Sequence, residues 1–244
     1  MGRRIVTMDG HEPESGTSSR IHRTVARQLG TAILAGVYKP GDKLSGEIEL
    51  SESLHISRTA YREALRILIA KGMISSKPKA GTHITARNKW NLLDPEVLEW
   101  MFSIQPDRKF VEDLFELRSQ IEPTAAALAA QRHRPEHIAA MDEALRGMRE
   151  FGLASALGQE ADQAFHTALL EATDNEAIYT LGSSIGAAVR WTTRFKQERT
   201  TNPRDMLQEH HTIRDAIASG DGEYAARLMR ELLDMALLDM GLSQ

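Results

Sequence analysis

Two groups of residues in this chain have the types and spacing to do chemistry. In "HISRTAYREALRILIAKGMI", residues 55–74, Ser57, Arg58, Thr59 and Arg62 crowd the start of a helical pattern. Arg58 and Arg62 are four apart and so share a helix face. The start of a helix, with its free N–H groups and positive dipole end, already favours phosphate. An arginine there can also hold guanine O6 and N7 through two hydrogen bonds. The plain alternative is a solvated helix end for which Ser57 is merely the cap. The second group lies downstream. In "ADQAFHTAL", Asp162 and His166 are again four apart, and "LQEHHTIRDAI" adds His210 and His211. A carboxylate and imidazoles so arranged can chelate one cation, although such short arrangements are common as surface polar groups. Arg118, in a strongly apolar helix, and Arg190, beside Trp191, add cations to a candidate polar pocket. Arg118 reads equally well as the ion-pair partner of Glu122.

Composition bounds what these residues can belong to. The chain has 244 residues, no cysteine, 41% hydrophobic and 26% charged residues, ordinary for a globular protein and ample for two domains. Absence of cysteine excludes disulfides and thiolate metal sites and fits a reducing cytoplasm. No apolar run is long enough to span a membrane. The net charge of −4 hides an asymmetry: residues 20–89 hold 13 Lys+Arg against 5 Asp+Glu, a net of +8, whereas residues 90–244 hold 15 against 26, a net of −11. A basic module for a polyanion is therefore joined to an acidic module with another task. The lack of an amphipathic aromatic face argues against a membrane surface as that polyanion.

The elements that must position these residues follow from periodicity. Residues 1–19 read as a flexible tail rich in Gly, Ser, Glu and Pro. Ile21, Val25, Leu29, Ile33 and Leu34 predict a helix over 21–36, Pro40-Gly41 a turn, and residues 47–54 a short helix. Ser57 caps the next helix, with Leu65, Leu68 and Ile69 as its buried stripe and Gly72 as its stop. "MISSKPKAGTHITA" reads as two short strands around residues 78–81. Three helices followed by a basic hairpin make a winged helix-turn-helix, residues 20–86, whose third helix enters the DNA major groove; Lys77 and Lys79 would grip phosphate beside it. Residues 87–94 form a linker, and Asp94-Pro95 opens a helix. Beyond it, helices are predicted over 109–132, 135–150, 155–174, 175–199, 205–219 and 222–240, with a kink or break at Pro123. Residues 95–241 thus read as an all-α antiparallel bundle able to hold a ligand, and the chain as mainly α.

The amino-terminal half resembles the GntR family of bacterial transcription factors, on Tyr38, Pro40, Gly41, Leu44, Glu47, Leu50, Ser57, Arg58, Thr59, Arg62, Ala64, Leu65, Leu68, Gly72, Gly81 and Thr82. Ser45-Gly46 replaces the usual Pro-Ser, and Ile48 stands where many members carry a phosphate-binding arginine. The resemblance implies DNA contacts from Ser57, Arg58, Thr59, Arg62, Gly81 and Thr82, beside Lys77 and Lys79 of the basic hairpin. The second half is similar to the FCD effector domain of the FadR-like branch, on Leu114, Arg118, Glu122, Pro123, Asp162, Phe165, His166, Asn175, Glu209, His210, Gly220 and Asp221, among others. That likeness implies a divalent cation, zinc or nickel, on Asp162, His166 and His210, with Leu232 where a fourth ligand, a histidine, belongs. Arg118 and Asn175 of that pattern, with Arg190 from the chemistry above, make the expected effector pocket. "RNKWNLLDPEVLEWM", residues 87–101, looks like the linker of galactonate-responsive repressors in this branch.

The expected function is accordingly a cytoplasmic, ligand-responsive repressor that binds an inverted repeat in double-stranded DNA as a homodimer. Its effector would be a small carboxylate, an aldonate such as galactonate being the candidate. Two other classes compete. A metal-dependent hydrolase could use the Asp/His cluster with metal-bound water, but no further acid or nucleophile motif accompanies it and the basic half would go unexplained. An architectural DNA binder would not need the polar pocket.

Overall fold

The computed structural model describes residues 15–53, 55–201 and 203–241, and the chain divides into two compact units, residues 1–91 and 92–244. Most of the tail expected over residues 1–19 lies outside the described residues. Its last five residues are instead helical, because α1 spans Ser15–Leu34. In the first unit α2 (Glu47–Ser53) and α3 (Arg58–Ala70) follow, then the antiparallel strands β1 (Ile74–Lys77) and β2 (Gly81–Ile84).

Helix α1 turns Val25, Leu29 and Ile33 inward against α3, as its spacing requires. The inward stripe of α3 differs from expectation. Ala60, Tyr61, Ala64 and Leu68 are buried, whereas Leu65 is half-buried and Ile69 is 44% exposed. A helix can bury only one face; the face turned to α1 carries residues 60, 61, 64 and 68, and the aliphatic residues beside it stay at the rim. The hairpin pairs Ile74 with Ile84 and Lys77 with Gly81. Residues 41–44 run along its other edge, where Leu44 N–H donates to Thr82 O and Ile84 N–H to Asp42 O.

Gly72 ends α3 with φ at +72°, and a Cβ there would stand 2.1 Å from the carbonyl oxygen of Lys89. The stretch expected to be a linker therefore lies against its own unit. Thr85 Oγ1 donates to Gly72 O, Trp90 Nε1 donates to Thr85 O, and Asn91 N–H donates to Lys71 O.

The second unit is built from α4 (Pro95–Ser103), α5 (Arg108–Arg132), α6 (Pro135–Phe151), α7 (Ala156–Glu171), α8 (Glu176–Tyr179), α9 (Gly182–Arg199), α10 (Leu207–Ala218) and α11 (Gly222–Asp239), and among the described residues it has no strand. Short polar side chains start these helices: Asp94 accepts from Glu96 and Val97 N–H, Asp107 from Phe110, Ser155 from Gly158 and Asp221 from Tyr224, each satisfying an otherwise orphaned first-turn donor. Phe165, Leu169, Met141, Leu145, Ile213 and Met229 meet in one core.

Two expectations fail in this unit. Pro123 does not break α5, which continues to Arg132. Buried residues line α5 on both sides of the proline, and packing over 25 residues outweighs one missing hydrogen bond. The single helix expected over 175–199 is two, because Leu181 N–H bonds to Ile178 O, three residues back, and a new ladder begins with Ile185 N–H to Leu181 O.

Replacing Gly72 with alanine demands both a left-handed backbone and space that the Lys89 carbonyl occupies. Gly72→Ala is expected to cost at least about 1–3 kcal/mol, read as a lower urea midpoint of the first unit; an unaltered midpoint would contradict this account of the turn.

Candidate functional site

The DNA-reading candidates lie on the first unit. Ser57 Oγ accepts from Ala60 N–H at 3.1 Å, which fixes the first turn of α3. Arg58, Thr59 and Arg62 are exposed on that turn and the next. Lys77 and Lys79 are exposed at the hairpin tip, where Lys79 itself takes φ +65° and Gly81 φ +90°. Gly81 serves a packing need: a Cβ would stand 2.7 Å from Cε of Lys43. Thr82 is half-buried, and its hydroxyl donates to Ser76 Oγ at 3.1 Å. Its main role here is to hold the hairpin. Lys43, not singled out from the sequence, lies across the hairpin and adds a cation to this end; the signal was its place in the Pro40-Gly41 turn segment.

The second candidate is a buried polar centre in the helical unit. Asp162 and His166 project from α7 and His210 from α10, and all three are buried. One ligating atom of each lies within 4.8 Å of the others. His210 Nδ1 is 2.7 Å from Met206 O; a carbonyl only accepts, so this nitrogen carries the proton and Nε2 presents its lone pair. His166 Nδ1 lies 2.5 Å from Glu122 Oε2, an ion-pair contact rather than a well-aligned hydrogen bond. The two Nε2 atoms face each other at 3.4 Å. Asp162 Oδ2 accepts the Thr193 hydroxyl at 2.7 Å, while Oδ1 has no hydrogen-bond partner and lies 3.2 Å from His210 Nε2 and 3.7 Å from His166 Nε2. Two imidazole lone pairs and an orphaned carboxylate oxygen converging in a buried space repel unless something positive, protons or a metal ion, sits among them. The donor set, one carboxylate oxygen and two nitrogens each backed by an acceptor on the other ring nitrogen, fits a divalent cation.

Charge around the centre is tightly compensated. Burial by itself pushes the Glu122 carboxyl up; the charges of Arg118 and His166 outweigh it and bring its pKa to about 2. Burial also opposes ionisation of Asp162; His210 and His166, when protonated, and the Thr193 hydroxyl outweigh it and hold the carboxyl well below the usual carboxylate range. Arg118 is a structural member of this network. Its Nε bonds Glu122 Oε1 at 2.5 Å, one NH group bonds Thr192 Oγ1 at 3.0 Å, and the guanidinium lies over the Phe115 ring. Truncating it would leave a buried carboxylate uncompensated, a loss on the order of 3–5 kcal/mol.

A cavity of about 30 Å³ opens beside the centre, lined by Arg118, Asp162, His166, Lys196, His210 and Leu232, among others. That volume suits an ion and its waters. Leu232 presents an apolar wall where the family pattern has a histidine. His211 turns away, its ring nitrogen 2.9 Å from Arg149. Two expected pocket residues are elsewhere. Arg190 pairs with Glu160 at 2.9 Å and faces a separate surface groove with Glu96, Glu99 and Trp191. Asn175 caps α8, its side-chain oxygen accepting from Ala177 and Ile178 N–H. Thr192, Thr193 and Lys196 take part instead. Val189, Thr192 and Lys196 recur at the spacing of a buried helical stripe, whereas Arg190, one residue past Val189, is turned about 100° from it.

Comparison with known proteins accords with this division. Residues 21–84 match the family of bacterial regulatory proteins described as gntR, and residues 113–235 match the FCD domain. The Galactonate operon transcriptional repressor of Escherichia coli (strain K12) is 35% identical over 200 residues, covering 81% of this chain and 86% of that protein. The HTH-type transcriptional regulator LutR of Bacillus subtilis (strain 168) is 31% identical, covering 80% of this chain and 89% of its own. The solved structure of Lar from Listeria monocytogenes shares the fold, with a TM-score of 0.63 over 97% of this chain and 100% of that one at 15% identity. Both domains are those of ligand-responsive, DNA-binding transcription regulators and not of enzymes. By these matches, which together span most of its length, the chain belongs to the GntR family of bacterial regulators, with an FCD domain behind its winged helix-turn-helix.

Proposed function

We propose that the protein is a cytoplasmic repressor of an operon for sugar-acid catabolism, which binds DNA as a homodimer and leaves it when a small carboxylate, an aldonate such as galactonate, enters the helical unit. The observation that carries this reading is the buried centre: Asp162, His166 and His210 converge beside two interior cations, Arg118 and Lys196, in one cavity. A carboxylate and vicinal hydroxyls match that pairing of cations with oxygen-binding groups. The name of the Escherichia coli relative, a galactonate operon repressor, supports the substrate class.

A divalent cation, zinc or nickel, would be held by Asp162 Oδ1 and the Nε2 atoms of His166 and His210, and would offer its remaining corner to an effector oxygen. The protein's own residues do the rest: Glu122 and the Met206 carbonyl orient the imidazoles, Thr193 turns Asp162, and Leu232 keeps the opposite wall dry. The cavity at rest is too small for an aldonate, so binding must displace the side chains of α11 that wall it. A ligand shifts DNA affinity only by as much as it prefers one arrangement over the other; a coupling of about 1–3 kcal/mol would change operator affinity roughly 5- to 150-fold. On the DNA side, Arg58 and Arg62 would read bases from the first turns of α3 while Lys43, Lys77 and Lys79 hold phosphate. Two-fold symmetry of the dimer would require an inverted repeat.

Three outcomes test the proposal. With operator DNA selected from a random-sequence library, Arg62→Ala should cost roughly 1–3 kcal/mol at a preferred guanine, and Lys77→Ala should weaken all sequences alike and lower the salt slope by about one; unchanged affinity in Arg58→Ala/Arg62→Ala protein removes α3 from the groove. Zinc at about 100 times its Kd should stabilise the wild type by roughly 2.7 kcal/mol, and a melting curve of His166→Ala that rises equally with zinc would dismiss the cation site. Galactonate should release the wild type from that operator in fluorescence anisotropy, and retention at millimolar concentrations of it and of other aldonates would reject the sugar-acid reading.

A further inference from the structure

The two cations of the cavity are not equivalent. Arg118 is committed, with Glu122 and Thr192 both within hydrogen-bond distance. Lys196 is equally buried, at 3% exposure, yet its nearest carboxylate oxygen, Asp239 Oδ2, stands 4.0 Å away, beyond hydrogen-bond reach. That oxygen itself is buried without a hydrogen-bond partner. A buried ammonium is costly unless it is paired and hydrogen-bonded, so an interior lysine held this loosely is poised for a better acceptor than the one it has.

Its position says where that acceptor comes from. Lys196 lines the cavity on the same side as Thr192 and Thr193, and Ala236 and Met240 of the α11 end line it too. Asp239 lies between those two residues in the chain. Besides Lys196, Asp239 meets, among the described residues, Arg204 at 3.8 Å from its other oxygen and the Thr200 hydroxyl, which donates to its carbonyl at 2.9 Å. The last turn of α11 is thus fastened to the end of α9 by a stretched ion pair and one hydrogen bond, at the wall that must move before a ligand larger than a few waters can enter.

We infer that Lys196 is the docking point for the carboxylate of the effector, and that the incoming carboxylate takes Lys196 from Asp239 and so frees the last turn of α11. The inference rests on the reading of the cavity as a small-acid site and adds which residue recognises the acid and which contact is exchanged. The exchange is one anion for another: the Lys196 ammonium keeps its charge and a carboxylate partner throughout, while Asp239 moves toward Arg204 and solvent. Arg118 stays with Glu122 and Thr192.

The test uses the full-length protein, with sodium galactonate and sodium acetate as probes and galactitol as the analogue without a carboxylate. Binding is read by calorimetry, and exchange of backbone amides in residues 233–241 by mass spectrometry. Galactonate is expected to bind the wild type and to speed exchange in that segment, and galactitol to do neither. Lys196→Met and Lys196→Gln should each weaken galactonate by at least about 30-fold, the lower end for truncating one partner of a buried charged contact. Asp239→Asn should bind it more tightly than the wild type, because the internal competitor has lost its charge. If both lysine variants, folded by circular dichroism, bind galactonate as the wild type does, the inference is overturned and the small-acid reading survives. If galactonate is not bound but acetate is, and acetate binding is lost in Lys196→Met, the docking role stands and the sugar-acid class falls. Binding of neither probe by the wild type overturns both. Should the lysine variants fail to fold, Asp239→Asn decides, and galactonate affinity equal to or weaker than wild type there counts against the exchange.

Discussion

A carboxylate with no exposure to solvent, that of Glu122, sets the constraint under which the helical unit is assembled. Burying it is tolerable only if opposite charge and hydrogen bonds meet it inside the protein, because leaving it unpaired would cost several kcal/mol. Arg118 meets it from one turn earlier on the same helix and His166 from α7, while Arg118 reaches on to Thr192 of α9. One side chain on α5 thereby fixes the rotation of α7 and α9 about their own axes. His210, whose ring nitrogen is anchored on the Met206 carbonyl at the start of α10, brings a fourth helix into register with Asp162. Apolar packing around Phe165 and Leu169 would hold these helices together in many rotations; the polar network selects one. Both histidine rings stand edge-on to Phe165, at 5.7 and 5.0 Å, so the apolar core and the polar centre share a wall.

The first unit works by a different rule. Its specificity lies in backbone shape: a left-handed Gly72 that receives the Lys89 carbonyl, a left-handed Lys79 at the hairpin tip, and a Gly81 over which Lys43 passes. These keep exposed cations on a rigid frame, as a polyanion-reading surface requires. The charge asymmetry of the chain reinforces the division, since residues 90–244, with a net of −11, are repelled by the polyanion that residues 20–89, with a net of +8, attract.

How much of this was legible in the sequence depended on whether a local or a tertiary cause decided the matter. Local causes read well: the Ser57 cap, the helix start at Asp94-Pro95, the stop at Gly72, the two strands around residues 78–81, and the shared face of Asp162 and His166. Tertiary causes did not. Which apolar residues of α3 face inward depends on the side from which α1 packs, so Ala60, Tyr61 and Ala64 are buried where Leu65 and Ile69 were expected. Continuation of α5 through Pro123 depends on what packs along it. Residue chemistry placed Arg190 in the pocket and family resemblance Asn175, but one faces a surface groove and the other caps a helix. Lys196 was passed over because a lysine in "TTRFKQER" looks like solvated charge; only its phase with Val189 and Thr192 separates it from Arg194 and Arg199, and a single helical turn of phase is a faint signal.

Leu232 occupies the place of a fourth protein ligand, and this has a consequence for how such a protein would process information. A cation held by Asp162, His166 and His210 alone keeps a coordination corner that the chain cannot fill, so an outside oxygen completes it. Each then raises the affinity for the other by the same factor, as linkage demands. Occupancy of the effector cavity would follow the product of two cellular concentrations, metal and acid, rather than either one. A protein with a histidine in place of Leu232 would saturate its cation and report the acid alone; with leucine there, the proposed site would answer to the two together.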